Sequence, residues 1–249
     1  MWFYSFLSLF IATSISLFSP KEFNSLSIKS ASNENTISLK ERNNVIISKK
    51  YEELGFSDLS FEAFKEAYIG YNYLLLNHKL ANSRYLTVID FGMPSNKKRL
   101  YLIDLENMEV VHQTYCAHGR NTGKLHATDF SNKEGSYKSS LGFYITKNTY
   151  KGKFDLGLRL EGVEKFNCNA MKRAIVMHGA EYATEAFLQK NNGVLGRSLG
   201  CPALPMEEAP EVIHRIKDGS CMYIYHPKNN YRASSALLKD DSINLEQHI

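Results

Sequence analysis

This sequence has a small net charge and few cysteines. Its 249 residues include 30 Lys and Arg against 26 Asp and Glu, and the basic residues are spread rather than clustered. This charge pattern does not indicate a nucleic-acid partner and supports only a weak attraction to an anionic envelope. No segment repeats with the period of a solenoid or propeller. The sequence therefore predicts one globular domain with additional segments.

The chain has only four cysteines, Cys116, Cys168, Cys201 and Cys221. Their spacing is not typical of a disulfide framework, and a domain of this size does not need one. Cys116 and Cys221 lie in apolar, strand-like runs, where a buried free thiol packs well. Cys168 lies in a polar loop and is a poor candidate for a nucleophile. Cys201 is the thiol with the most unusual surroundings.

An uncharged run opens the chain, from Trp2 to Phe18, with 12 apolar residues and 5 Ser or Thr. Its length fits the apolar core of a signal peptide and falls just short of an ordinary membrane span. We therefore predict a signal peptide at 1–20, with a retained anchor or a buried segment of a cytosolic protein as alternatives. Export to the periplasm or cell envelope is expected, with weak or no membrane contact beyond this segment.

Composition divides the remaining chain into four parts. Residues 21–55 are polar and predict a flexible linker. Residues 56–80 carry aromatic side chains at helical spacing, which predicts an amphipathic helix that is capped by Ser60 and packs on the main domain. Residues 81–227 form that main domain, and residues 228–249 are a polar C-terminal tail, expected to be peripheral.

The main domain has the pattern of a mostly β (α+β) fold with a few short helices. A short helix is predicted around Pro210 to Ile216 and should end at Asp218-Gly219. Seven runs have strand character: Leu86 to Ile89, Leu100 to Leu105, Val110 to Cys116, Phe143 to Thr146, Leu156 to Leu160, Ala174 to Met177 and Cys221 to Tyr225.

Two segments contain the residue types of nucleophilic catalysis. One predicted strand ends in His178-Gly179, and a thiol stands in Ser198-Leu199-Gly200-Cys201-Pro202. A thiol attacks as the thiolate, so it needs a nearby base, which an imidazole supplies. Gly200 permits a sharp turn with N–H groups directed at an oxyanion. Because such pairing is spatial, the residues alone leave a structural role open.

His112, Cys116 and His118 alternate along one predicted strand and invite comparison with a metal site. On a straight strand, His112 and Cys116 lie on the order of 13 Å apart, which is too far for one zinc ion. No metal site is therefore predicted. Three other histidines have no evident partner in the sequence: His126, His214 and His226.

His178-Gly179 followed by Ser198-Leu199-Gly200-Cys201 resembles the signature of the L,D-transpeptidases, also called the YkuD family. The Gly-Arg-Ser-x-Gly-Cys-Pro-Ala, Ala-His-Gly-Arg and Ser-Ser-Leu-Gly-Phe-Tyr segments are similar to the variant subfamily called murein L,D-transpeptidase catalytic domain. The resemblance covers roughly residues 84–226. It implies a YkuD-like β-sandwich or mixed-sheet catalytic domain at 81–227, without a cofactor or metal.

The resemblance also implies roles for individual residues. Cys201 would be the nucleophile and His178 its base, while Gly200, Ser198 and Gly179 would form the oxyanion site or orient the reacting groups. The thiolate would attack a stem-peptide carbonyl at an L-centre and form a thioester. A side-chain amine of a neighbouring peptidoglycan stem would then complete a cross-link.

Two departures from the family pattern affect the surroundings of the thiol. Leu199 stands where the common pattern has a second His, and Ala203 where many members have Arg. Arg197 is a candidate for binding the substrate carboxylate, since a guanidinium binds carboxylate bidentately. Arg120, in a turn expected to border the cleft, is a second candidate.

Other functions remain open at this point. Water as the acceptor would make the protein an L,D-carboxypeptidase, and loss of turnover would leave a non-catalytic cell-wall-binding domain of the same fold. A cysteine peptidase of another fold is a third possibility. The expected partners are peptidoglycan stem peptides, and the expected state is a monomer.

Overall fold

The computed structural model describes residues 38–152, 155–239 and 243–248. The predicted signal peptide or anchor at 1–20 lies outside these residues, as does the linker up to residue 37. Within the three described ranges, no helix combines the length and apolar character needed to cross a membrane.

The described chain contains one mixed sheet. Its strands are β1 (Tyr85–Asp90), β2 (Leu100–Asp104), β3 (Glu109–Thr114), β4 (Gly142–Gly152), β5 (Asp155–Gly162), β6 (Val176–Gly179), β7 (Ala203–Leu204) and β8 (Cys221–Tyr225). They pair in the order β3-β2-β1-β8-β4-β5-β6-β7. β8 runs parallel to β1, β7 runs parallel to β6, and the other neighbours are antiparallel. The predicted mixed sheet is confirmed, and β7 is the strand that the sequence did not predict.

The two edges of this sheet approach each other beyond the end of β3. Ala117 forms an antiparallel bridge with Ala203 of β7. Their backbone groups exchange hydrogen bonds of 2.8 and 3.3 Å. Gly119 forms a parallel bridge with Ser198, just before β7. Since β3 and β7 are the opposite edges, these bridges nearly close the sheet into a barrel.

Two helices precede the sheet, α1 (Leu39–Leu54) and α2 (Phe61–Leu76). The predicted amphipathic helix is confirmed in α2, where the Ser60 hydroxyl accepts the Ala63 N–H at 3.2 Å. The prediction of a flexible linker is wrong for the residues of α1. That helix is mostly polar, but it buries Ile47 and Leu54 and thereby gains the apolar contact that its composition alone does not suggest.

Short helices complete the fold. Residues Glu181–Ala183 and Leu245–His248 form 3₁₀-helices, and the α-helices are α3 (Glu185–Lys190), α4 (Ala209–Ile216), α5 (Asn229–Arg232) and α6 (Ala236–Lys239). The predicted short helix is confirmed in α4. It is followed by Asp218 and Gly219, with positive φ angles of 63° and 108°, which reverse the chain into β8.

The polar C-terminal segment packs into the domain rather than lying at its periphery. The Tyr231 hydroxyl donates to the buried Glu164 carboxylate at 2.6 Å, and the Ser235 hydroxyl donates to the other carboxylate oxygen. Glu164 also accepts the Phe143 N–H of β4 at 2.9 Å, which ties the segment to the sheet. Four apolar side chains of the segment are buried: Tyr231, Leu237, Ile243 and Leu245.

Helix α2 packs directly against the sheet at Gly70. A Cβ at this position would overlap the ring of Phe143. That ring cannot retreat easily, because it stacks on Tyr223 of β8 with centroids 4.1 Å apart and an interplanar angle of 18°. The glycine therefore sets the distance between helix and sheet.

We predict that Gly70→Ala lowers the free energy of unfolding by about 1–3 kcal/mol, because overpacking outweighs the gain in helix propensity. Urea denaturation measures this change. In a Phe143→Leu background the smaller side chain makes room, so the cost of Gly70→Ala should shrink. An equal cost in both backgrounds would contradict the assigned contact.

Candidate active site

His178 lies near the end of β6 and is buried, with 1% of its surface exposed. Its Nδ1 is 2.9 Å from the carbonyl oxygen of Gly179. Because a carbonyl only accepts, Nδ1 carries the hydrogen and Nε2 is the basic nitrogen. Burial lowers the pKa of His178, with the bond to Gly179 acting in the opposite direction. The imidazole is therefore neutral near pH 7 and can accept a proton.

Cys201 reaches the same sheet edge through the pairing of β6 with β7. His178 is in register with Ala203 of β7, and the Val176 N–H, two residues before the imidazole, interacts with the Cys201 thiol. The Cys201 thiol is free and half-buried. Its Sγ lies 3.9 Å from the carbonyl oxygen of Ala174. The pairing of β6 with β7 thus brings the segment that carries Cys201 to the strand that carries His178.

The two side chains have pKa shifts of opposite direction. Burial raises the pKa of the Cys201 thiol, while the Val176 N–H and the charge of Arg173 partly offset this effect. The pKa of His178 is lowered, again by burial. Thiol and imidazole are therefore both neutral in the resting protein.

Ser198 fixes the loop that carries the thiol. Its hydroxyl accepts the Gly200 N–H at 3.0 Å and donates to the Cys201 carbonyl at 2.6 Å. Gly200 has a φ of 126°, and a Cβ there would lie 2.9 Å from the Lys138 carbonyl oxygen. The Gly200 N–H is thus engaged by the Ser198 hydroxyl in the resting protein, and the predicted oxyanion or orienting role of Gly200 stays a prediction. The Cys201 N–H interacts with the thiol of the same residue, and this contact acts to lower the pKa of that thiol.

Gly179 contributes through its carbonyl and its small size. The carbonyl orients the His178 ring, as described above. A Cβ on Gly179 would lie 3.0 Å from the Met206 sulfur and 3.3 Å from the Ala209 side chain at the start of α4. The strand end that carries the imidazole therefore packs closely on this helix.

The segment after β3 supports the loop from the other side. The Ser198 N–H donates to the His118 carbonyl at 2.9 Å, and the Arg120 N–H donates to the Ser198 carbonyl at 2.8 Å. The His118 ring is buried, and its Nδ1 lies 2.7 Å from Arg99 Nη2. Burial and the Arg99 charge lower the pKa of His118 to about 3, so this ring is neutral and accepts the guanidinium hydrogen. His112 instead pairs with Glu208 at 2.8 Å.

The two departures from the family pattern have different surroundings. Leu199 is 56% exposed at the rim of the site. Ala203 is completely buried and packs with three other alanines: Ala117, Ala180 and Ala183. A long arginine side chain has no space at this position without opening the contact between the sheet edges.

Arg197 and Arg120 lie together beside the nucleophile loop. With Lys124, they line a cleft of about 390 Å³. Arg197 Nη1 donates to the carbonyls of Arg120 and Gly123 at 3.3 and 3.4 Å, and the Arg120 guanidinium lies over the Tyr137 ring at 4.3 Å. In the described part of the chain, no carboxylate forms an ion pair with these three cations. The cleft is therefore positively charged and open to an anionic group.

Sequence reasoning missed two residues at the site. The Tyr182 ring lies edge-on to His178, with centroids 6.5 Å apart at 79°. Arg173, in the turn before β6, interacts electrostatically with Cys201. Neither belongs to a recognisable motif, and Lys172-Arg173 has the composition of an ordinary surface turn. The one signal that could have pointed to Arg173 was its position just before the strand that carries His178.

Several solved structures are similar to this chain. One is an L,D-transpeptidase from Mycobacterium smegmatis, with 10% identity over 57% of this chain and 59% of that chain and a TM-score of 0.36. A second is an L,D-transpeptidase from Mycobacterium tuberculosis H37Rv, with 12% identity over 57% of this chain and 58% of that chain and a TM-score of 0.36. A third is the helical cell shape determining protein Pgp2 from Campylobacter jejuni, with 12% identity over 66% of this chain and 57% of that chain and a TM-score of 0.38. The match thus spans less than two thirds of each of these chains. No curated protein matches this chain significantly.

The family model described as L,D-transpeptidase catalytic domain matches residues 56–225. This range includes helix α2, all eight strands and both His178 and Cys201. Because the match covers more than half of the 249 residues, the chain belongs to the L,D-transpeptidase catalytic domain family.

Proposed function

We propose that this protein is an exported peptidoglycan L,D-transpeptidase that uses Cys201 as nucleophile and His178 as base. The observation that supports the proposal is the pairing of β6, which carries His178, with β7, which follows the free thiol Cys201 by two residues. The family match over residues 56–225 supports the same chemistry. A domain that only bound the cell wall would need neither side chain in this arrangement.

The first half-reaction forms a thioester. His178 Nε2 takes the thiol proton as Sγ attacks a stem-peptide carbonyl at an L-centre. The Cys201 N–H donates to the developing oxyanion. When the peptide bond breaks, the amine of the terminal D-residue leaves with the proton that His178 holds. Ser198 keeps the loop in place, and the Gly179 carbonyl keeps the imidazole ring oriented.

The second half-reaction transfers the acyl group. A side-chain amine of a neighbouring stem attacks the thioester carbonyl and forms the new amide bond. His178 accepts a proton from the attacking amine, and the sulfur leaves and is protonated again to the thiol. Water in place of the amine would release a shortened stem and make the same enzyme an L,D-carboxypeptidase.

The cationic cleft offers a site for a carboxylate of the donor stem. Arg197 and Arg120 present guanidinium groups to it, and a guanidinium forms two parallel hydrogen bonds with a carboxylate. Their fork geometry is held by the carbonyl and ring contacts described above. We therefore assign substrate binding to these residues and exclude them from the proton transfers.

We predict that Cys201→Ala abolishes cross-linking, with a loss on the order of 10⁴-fold or more, because no other group can form the acyl-enzyme. Mass spectrometry of muropeptides incubated with purified protein measures the products, and intact-protein mass spectrometry detects the thioester. Cys168→Ala is the matched control, since this thiol is exposed and far along the chain from the loop. Activity that survives in Cys201→Ala would reject the proposed nucleophile. Shortened stems without dimers in the unmodified protein would reject transpeptidation.

We predict that kcat/KM stays constant as the pH is lowered to the usual imidazole pKa of about 6.5, and falls only below it. The reason is that burial lowers the pKa of His178, so the base keeps its neutral form into mildly acidic solution. A pH–rate profile measures this limb, with circular dichroism to show that the protein stays folded. In His178→Gln the residual activity should lack the limb. A fall that begins above the usual imidazole value would contradict the assignment.

We predict that Arg197→Met raises KM about 10-fold or more, with a smaller change in kcat, because the lost ion pair forms with bound substrate before the reaction. Arg197→Lys keeps the charge but loses the fork, so its KM should lie between the two. Steady-state kinetics with a tetrapeptide stem measure both constants. A pure loss of kcat at unchanged KM would instead place Arg197 in the chemical step.

A further inference from the structure

Arg173 is a half-buried cation without an acidic partner among the described residues. It lies in the turn that leads into β6, and its guanidinium bonds only to neutral oxygen atoms. These are the Ser131 carbonyl at 2.8 Å, the Ser140 hydroxyl at 2.6 Å, the Ser136 hydroxyl at 3.4 Å and the Lys138 carbonyl at 2.5 Å. Its full positive charge is therefore uncompensated by local anions.

This charge lies against the loop that carries the nucleophile. A Cβ on Gly200 would be 3.2 Å from Arg173 Nη2. Ala174, which follows Arg173, has a φ of 52°. This backbone conformation is strained for any residue other than glycine. This turn directs the Ala174 carbonyl toward Cys201 Sγ, 3.9 Å away. The same strained turn thus contacts the loop at two adjacent residues.

The other charged or titratable groups near the thiol cannot replace Arg173. The His178 imidazole is neutral, as argued above, and burial raises the pKa of the Tyr182 hydroxyl, so it is also neutral. The Lys138 ammonium is paired with Asp129. Arg197 and Arg120 are exposed, so water and salt screen their charges.

We infer that Arg173 is a positioning residue that also supplies the positive charge stabilising the Cys201 thiolate as it forms. The inference rests on the proposed function of Cys201 as nucleophile. An opposite charge within a few Å favours the ionised form of a buried group. Because Arg173 is held by oxygens of the 131–140 segment, its charge is already in place before the substrate binds, and it needs no reorganisation during the attack.

The test measures the apparent pKa of the Cys201 thiol directly. The rate of alkylation of Cys201 by iodoacetamide is followed across pH in the full-length protein, with Cys168→Ser to remove the exposed competing thiol. We expect Arg173→Gln, which removes the charge, to raise this apparent pKa by about one unit. Arg173→Lys keeps the charge and should leave it within a few tenths of a unit of the parent value. An unchanged value in Arg173→Gln, or equal shifts in both variants, would overturn the inference.

A second variant changes the charge without removing the arginine. Ser136→Asp would place a carboxylate beside Arg173 Nη2, and Ser136→Asn is its uncharged control. If the guanidinium charge acts on the thiol, Ser136→Asp raises the apparent pKa of Cys201 and Ser136→Asn does not. Equal values in the two variants would overturn the inference even if Arg173→Gln fails to fold. Alkylation requires no turnover, so these results stand or fall separately from the cross-linking assay.

Discussion

The contact between Ala117 and Ala203 is the constraint on which the rest of the site depends. β7 has only two residues, and they are held by β6 on one side and by the segment after β3 on the other. Without the second partner, β7 would be a very short edge strand with little to fix its register. Its register decides where Cys201 lies relative to His178. Closure of the sheet therefore also fixes the position of the Cys201 loop relative to His178.

Arg99 supports this closure from inside the protein. Its guanidinium is completely buried and donates to the Cys116 carbonyl at 2.8 and 3.0 Å, to the Met93 carbonyl at 2.8 Å and to His118. Burial lowers the pKa of Arg99 to about 10, so it remains charged at neutral pH. Burying a charge is costly unless it is well hydrogen-bonded. Here the bonds hold the chain after β3 in the position where it meets β7.

Much of the sheet could be predicted because its strands carry long apolar or alternating patterns. β7 could not, because two residues are too few to show a period and their pairing depends on Ala117, far away in the sequence. α1 was missed because its stability comes from two buried apolar residues in an otherwise polar segment. In each case, tertiary contact determined the structure where local pattern was weak.

The site was predictable to the same extent. Cys201 and His178 stand next to glycines in distinctive segments, so both could be named as candidates from the sequence. The direction of the Gly200 N–H could not be inferred from residue types, because its hydrogen bond to the Ser198 hydroxyl decides it. Arg173 was overlooked because a charged residue in a turn is normally solvated. Its environment is created by the 131–140 segment, which folds over it from elsewhere in the chain.

The neutral resting state of Cys201 has a consequence for the durability of the protein. Peroxide converts a thiolate to sulfenic acid and then to irreversible oxides, whereas a protonated thiol reacts slowly. A thiol that ionised permanently would be exposed to this damage. Because burial raises the pKa of the Cys201 thiol, its sulfur stays protonated near neutral pH, and this limits its oxidation.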